Sequence, residues 1–226
     1  MSRPAVLFLV IFTPILAVLL ALLGVITIAE NILGWFLLVT GVVYSVGLIV
    51  AYWKRRERFW ESNTGNEATE EEHGDRSFWW ITIALMAAFY LSPLEYIYFP
   101  GFLPRASYLQ YTGFGLILLG VALFVWARRT LGSNFSGHVS VKKGQELVRS
   151  GPYKYIRHPA YAGYLLMALG ISLGYSSLAG LTSVLLLLIP SVVFRLQLEE
   201  KLLSGQFGGD YEDYTKKTKK LIPGVW

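Results

Sequence analysis

The chain has 226 residues, of which 54% are hydrophobic and only 15% charged. A soluble domain carries about a quarter charged residues, so this composition excludes an ordinary water-soluble fold and points to helices solvated by lipid. The absence of cysteine excludes disulfides, thiolate catalysis and cysteine-held zinc, and three histidines (His73, His138, His158) are too few for a histidine-rich metal site, so no metal is expected. The net charge of +5 comes from basic residues flanking apolar runs, which fits lipid headgroups and a positive-inside bias rather than nucleic acid.

In chain order, apolar stretches at about 4–29 and 32–53 predict an N-terminal transmembrane hairpin within residues 1–60. The first is longer than the hydrophobic region of a signal peptide and reads as a retained helix. The acidic, aperiodic segment ESNTGNEATEEEHGDR (61–76) reads as a flexible linker, with the linker region drawn as 61–77 and a core as 78–226. Stretches at about 78–99 and 108–127 predict two more spans, the first expected to fray near Pro93 and Glu95. A longer stretch, 159–198, broken near Gly174-Tyr175-Ser176-Ser177, predicts a C-terminal helical hairpin. The fold expected is therefore an all-α integral membrane protein of about six transmembrane helices. With six, all the basic residues except Arg105 fall on one side, making the protein multi-pass with both termini cytoplasmic.

Polar chemistry concentrates in RRTLGSNFSGHVSVKKGQELVRSGPYKYIRHP (128–159). Within it Gly151-Pro152-Tyr153 is a turn, and Pro159 suits the first turn of a helix, where its missing N–H costs nothing. His158, just before that helix, reads either as a capping residue or as part of a site where the helix N-terminus receives a carboxylate. Further on, Arg195 and Glu199 share a helical face by their spacing of four, with Glu200 rotated away. Charges at the end of a membrane helix are ordinarily solvated, and these read either so or as a buried functional group in need of partners.

Taken together, GPYKYIRHPAYAG and, after the hairpin, RLQLEEKLLSGQFGGDYEDY and TKKLIP resemble the isoprenylcysteine carboxyl methyltransferases, relatives of the membrane phospholipid N-methyltransferases. The resemblance covers about 108–226. It implies a helical bundle with a cytoplasmic pocket for S-adenosyl-L-methionine above a lipid-accessible cavity. It further implies cofactor contacts from Gln145, Glu146, Leu147, Val148, Tyr153, His158, Pro159, Ala160, Tyr161, Glu199 and Glu200, with Arg195 holding the acceptor and Arg195 and Glu199 as the catalytic pair. Gln145 stands where the family usually has histidine, and glutamine cannot become cationic. The implied reaction is methyl transfer to a lipidic acceptor, by resemblance the carboxylate of a prenylated cysteine. A phospholipid amine or small thiol is the alternative acceptor. A membrane sterol-type reductase, which shares the tyrosine-rich basic tail, is the alternative enzyme, and a transporter or scaffold the non-enzymatic one.

Overall fold

A computed structural model describes residues 77–99, 101–132 and 146–224 of the chain. The expected N-terminal hairpin, the segment 61–76 and Gln145 lie outside the described residues. Residues 77–96 and the described residues from 101 onward form one compact unit, and the description that follows is of that unit.

Five helices make up the described part: α1 (Ser77–Tyr98), α2 (Ser107–Leu131), α3 (Pro159–Gly174), α4 (Leu178–Phe207) and a short α5 (Gly209–Lys217). A single 3-10 turn, Gly151–Lys154, precedes α3. Three of the helices, α1 from Trp79, α2 and α4, are long and apolar enough to cross a membrane, while α3 is a shorter apolar helix. The protein is thus an all-helical integral membrane protein over its described part.

The sequence expectation for α1 needs correction. The helix does not fray at Pro93 and Glu95 but runs on to Tyr98 with Pro93 inside it. Glu95 is buried, and its carboxylate accepts from the Ser177 hydroxyl and from the amides of Leu178 (3.3 Å) and Ala179 (2.8 Å). Those amides open α4, where the first N–H groups lack intrahelical partners and the helix dipole favours negative charge. Ser177 completes the cap by accepting from Gly180 N at 2.8 Å. The interfacial position expected for Glu95 is replaced by a buried capping role.

The apolar stretch beyond Pro159 is interrupted at Tyr175–Ser177, with Ser176 in the left-handed region (φ 50°), before α4 begins. That helix is continuous over 30 residues but contains a π-helical turn at Val184–Leu188. Its cause lies two residues on: Pro190 has no N–H to offer the Leu186 carbonyl, and Ile189 N instead reaches Val184 O, five residues back. The helix continues beyond the apolar stretch expected to end at about 198, passing Arg195, Glu199 and Glu200 and ending only at Phe207.

Packing follows the small and branched residues. Val184, Leu188, Val192 and Leu196 form a stripe at intervals of four along α4 and join Ile81, Ala84 and Ala88 of α1 and Ala162 and Ala168 of α3 in one core. Helices α2 and α3 meet through glycines. A Cβ on Gly113 would stand 2.4 Å from the Gly170 carbonyl oxygen and 2.6 Å from Gly174 N, so only a bare backbone fits. Gly113→Ala is expected to cost about 1–3 kcal/mol by overpacking. Gly115→Ala, where nothing lies within 4 Å, should be neutral or slightly stabilising. Thermal unfolding in detergent of the two variants, side by side, checks this.

The contacts also orient the ends. Ser77 at the start of α1, the His158 position opening α3, and the Arg195–Glu200 stretch of α4 converge at one end, whereas Glu95 and Ser177 meet at the other. Arg128 and Arg129 close α2 beside the 3-10 turn, since a Cβ on Gly151 (φ 57°) would lie 2.7 Å from Thr130 Oγ1.

Candidate active site

Where the helices converge, five of the side chains singled out from the sequence come together: His158, Tyr161, Arg195, Glu199 and Glu200. Arg195 lies on the core face of α4 next to Leu196 and is only 2% exposed. Its Nε donates to the Tyr161 hydroxyl at 3.0 Å and stands 3.6 Å from Glu199 Oε1, and a terminal N–H donates to Ser77 Oγ at 2.8 Å. The solvated reading of this charge is thereby excluded. The Tyr161 hydroxyl in turn donates to Glu199 Oε1 at 2.7 Å, so it accepts from the cation and gives to the anion. Tyr161 is thus a relay between Arg195 and Glu199.

His158 occupies the residue before α3, but its side chain does not cap that helix. The buried ring turns toward α4 instead. Nδ1 lies 3.4 Å from Glu199 Oε2, and Nε2 lies 3.4 Å from Glu200 Oε1. Two carboxylates facing two ring nitrogens suit only the doubly protonated ring, because a neutral imidazole would aim a lone pair at one of them. Burial works to lower the His158 pKa, but hydrogen bonds and charge from Glu199 and Glu200 overcome it and hold the value above the ordinary 6.5. The stabilisation from this imidazolium is fully present below pH 6.5 and lost as pH rises through the folded-state value. The protein should therefore melt at lower temperature on going from neutral to alkaline pH, and His158→Gln should flatten that part of the profile. Melting curves from pH 6 to 9 measure it.

Glu200 sits in a different setting from Glu199. Arg157 Nε donates to its Oε1 and Lys220 Nζ meets its Oε2, both at 2.9 Å. Arg157 and Lys220 belong to two segments laid side by side: Ile156 bridges in parallel to Lys219, and the amides of Arg157 and His158 donate to the carbonyls of Lys219 (2.8 Å) and Lys220 (3.0 Å). The Arg157 guanidinium also donates to the carbonyls of Thr215 and Thr218. Leu221, buried with Ile156, anchors the end of this segment in the core. The His158 amide is already committed to the C-terminal segment and Pro159 has none, leaving Ala160 and Tyr161 as the first amides within the helix.

The remaining expected residues divide. Pro159 is buried and Ala160 half-buried at the α3 terminus, beside the cluster. Tyr153 is buried in the 3-10 turn, where its carbonyl accepts from the Tyr214 hydroxyl at 2.7 Å. Burial pushes the Tyr214 phenol up to about 12. Glu146 is exposed, and Leu147 and Val148 are half-buried. Sequence reasoning missed Ser77, Arg157, Lys220 and Tyr211. The signal for Arg157 was present in its adjacency to His158. Ser77 and Lys220 lie 118 and 20 residues from their partners, and no spacing rule reaches them.

Residues at this site suit S-adenosyl-L-methionine in kind. The donor set offers carboxylates for its cations and cations for its carboxylate. The buried Tyr211 hydroxyl, which feels the charges of Glu200 and Arg157, has no hydrogen-bond partner among the described residues.

Comparison with known proteins places this site in a recurrent sequence context. The family model described as phospholipid methyltransferase matches residues 109–210. Curated relatives named protein-S-isoprenylcysteine O-methyltransferase include that of Schizosaccharomyces pombe, 34% identical over 129 residues, covering 55% of this chain and 55% of the relative. That of Tribolium castaneum is 30% identical over 157 residues, 64% of this chain and 52% of the relative. The B form of Arabidopsis thaliana is 28% identical over 144 residues, 61% and 73% respectively. The matches thus span about half the length of the first and second of these and nearly three quarters of the third. A solved eukaryotic intramembrane Ras methyltransferase, an isoprenylcysteine carboxyl methyltransferase, has the same fold, with a TM-score of 0.58 over 92% of this chain and 74% of the other at 22% identity. The resemblance read from RHPAY and the paired glutamates is borne out by these relatives.

Proposed function

We propose that the chain is a membrane-embedded methyltransferase that uses S-adenosyl-L-methionine and methylates a lipidic acceptor, the carboxylate of a prenylated cysteine being the acceptor that best fits its site. The observation that carries this reading is the convergence of Arg195, Tyr161, Glu199, His158 and Glu200 at one end of the bundle, inside the region matched by the methyltransferase family. S-adenosyl-L-methionine supplies a methyl group made electrophilic by its sulfonium, so catalysis consists largely of aligning an acceptor lone pair with it.

Each residue has a definable part. Glu199, with its side chain 23% exposed, offers a carboxylate to a cationic ligand group while Tyr161 and His158 hold its orientation. The first amides of α3, from Ala160 and Tyr161, suit the donor's carboxylate. Arg195 supplies a fixed, planar cation for an acceptor carboxylate, which is ionised at neutral pH and needs no general base. Charge favours this acceptor over an amine: three permanent cations, Arg157, Arg195 and Lys220, with His158 as a fourth, stand against two carboxylates.

The site lies where it can serve a membrane-borne acceptor. Thirty helical residues extend about 45 Å, beyond a hydrocarbon core of about 30 Å, so α4 emerges from the bilayer near Arg195. The basic residues at this end support a cytoplasmic site, with six spans, cytoplasmic termini and a 78–226 core as the accompanying topology.

Calorimetric titration of the purified protein with S-adenosylhomocysteine and with NADPH tests the reading. Binding of the first alone is expected, and binding of NADPH alone would sink it. Mass spectrometry after incubation with labelled methyl donor should find the label on a farnesylcysteine analogue and not on phosphatidylethanolamine.

A further inference from the structure

Glu200 has more cationic partners than one carboxylate needs. Arg157 takes Oε1, Lys220 takes Oε2, and His158 Nε2 approaches Oε1 at 3.4 Å. A carboxylate so engaged is poorly available to a ligand's ammonium. It is well placed to fix something else. All three partners lie on two segments joined backbone to backbone, since the amides of Arg157 and His158 donate to the carbonyls of Lys219 and Lys220. The segment carrying Lys220 is held at both ends, by Thr218 N on Tyr214 O at 3.1 Å and by Leu221 in the core.

We propose that Lys220 is a positioning residue: with Arg157 it clamps Glu200 so that Oε1 faces His158, and the C-terminal segment thereby sets the ring that orients Glu199. The proposal rests on the methyltransferase reading for its consequence in ligand binding, but the clamp itself does not depend on it. The mechanism is geometric. Glu200 is 18% exposed at its side chain, so without the Lys220 ammonium its carboxylate can turn outward into water. His158 then loses one of its two anions, the ring is no longer fixed from both sides, and Glu199 loses a fixed partner. Lys220 reaches the His158 ring through its ion pair with Glu200.

Among the described residues, the groups facing the His158 ring are Glu199 and Glu200 from α4 and Tyr161 from α3, with Arg157 and Lys220 joined to Glu200 from the two paired segments. Lys220 is a cation, and its direct effect would be to lower the ring's affinity for a proton. If the clamp governs the ring, removing Lys220 has the opposite outcome, because the loss of the Glu200 carboxylate from Nε2 dominates.

The test uses the full chain in detergent micelles, with nuclear magnetic resonance of its three histidines and His158→Gln for assignment. In ligand-free Lys220→Met the His158 titration midpoint should fall by about half a unit or more. It should stay in place in Lys220→Arg and in the exposed control Lys216→Met. A midpoint that is unchanged or raised in Lys220→Met overturns the clamp. In parallel, S-adenosylhomocysteine affinity should fall about three- to tenfold in Lys220→Met, recover in Lys220→Arg, and show no further loss when Lys220→Met is added to Glu200→Gln. Additive losses also overturn it. Wild-type protein that fails to bind S-adenosylhomocysteine removes the methyltransferase reading, and the clamp is then decided by the titration midpoint alone.

Discussion

Arg195→Leu is expected to destabilise the protein by about 3–5 kcal/mol, the usual cost of removing one member of a buried ion pair and stranding the other. The guanidinium is 2% exposed and bonds Ser77 on α1, Tyr161 on α3 and Glu199 on its own helix, so one side chain ties three helices together. Its removal leaves the Glu199 carboxylate without its nearby guanidinium and the Ser77 hydroxyl without this donor. Arg195→Lys separates the structural from the catalytic part. Lysine keeps the charge but replaces a rigid planar fork with a point donor that cannot reach Tyr161 and Ser77 together. Turnover of a farnesylcysteine analogue should fall about 100-fold, the scale of a misplaced positioning group, while S-adenosylhomocysteine affinity stays within about threefold. Unchanged turnover in a folded Arg195→Lys protein would strip Arg195 of any role in holding the acceptor and leave it a helix tie.

The second large effect belongs to Glu199→Gln. Glutamine preserves shape and can still accept from Tyr161, but it removes the negative charge that faces His158 and, in the proposed complex, the cationic part of the methyl donor. S-adenosylhomocysteine should bind about 10- to 100-fold more weakly, or about 1.4–2.8 kcal/mol. Calorimetry measures the affinity and a melting curve monitors the fold. Equal affinity for both proteins would return Glu199 to a purely structural ion pair with Arg195 and His158.

The pairing behind both expectations is legible in the sequence, because Arg195 and Glu199 are four apart on one helix, and helical spacing alone puts them on one face. The same holds for His158 beside Pro159, since proline marks where a helix begins. Other assignments could not be reached this way. Glu95 looked like a residue at a frayed helix end, yet it caps the start of α4 some eighty residues later. Arg195 could as well have been solvated. Its burial is decided by α1 packing Ile81, Ala84 and Ala88 against the same stripe of α4 that ends at Leu196.

What the sequence determined by itself is local and additive: apolar runs of spanning length, their breaks at proline and small polar residues, and the families of residues that sit at turns and helix starts. Each depends on the preferences of a short window for lipid, water or a given backbone angle, so it is legible one window at a time. Only the tertiary structure decided which charges meet. Lys220 reaching Glu200, Ser77 reaching Arg195 and Glu95 reaching Ala179 join partners 20 to 118 residues apart. In a low-dielectric interior such pairings are strong, and they are specified by how helices cross and where chain segments return, which is a property of the whole packing rather than of any window.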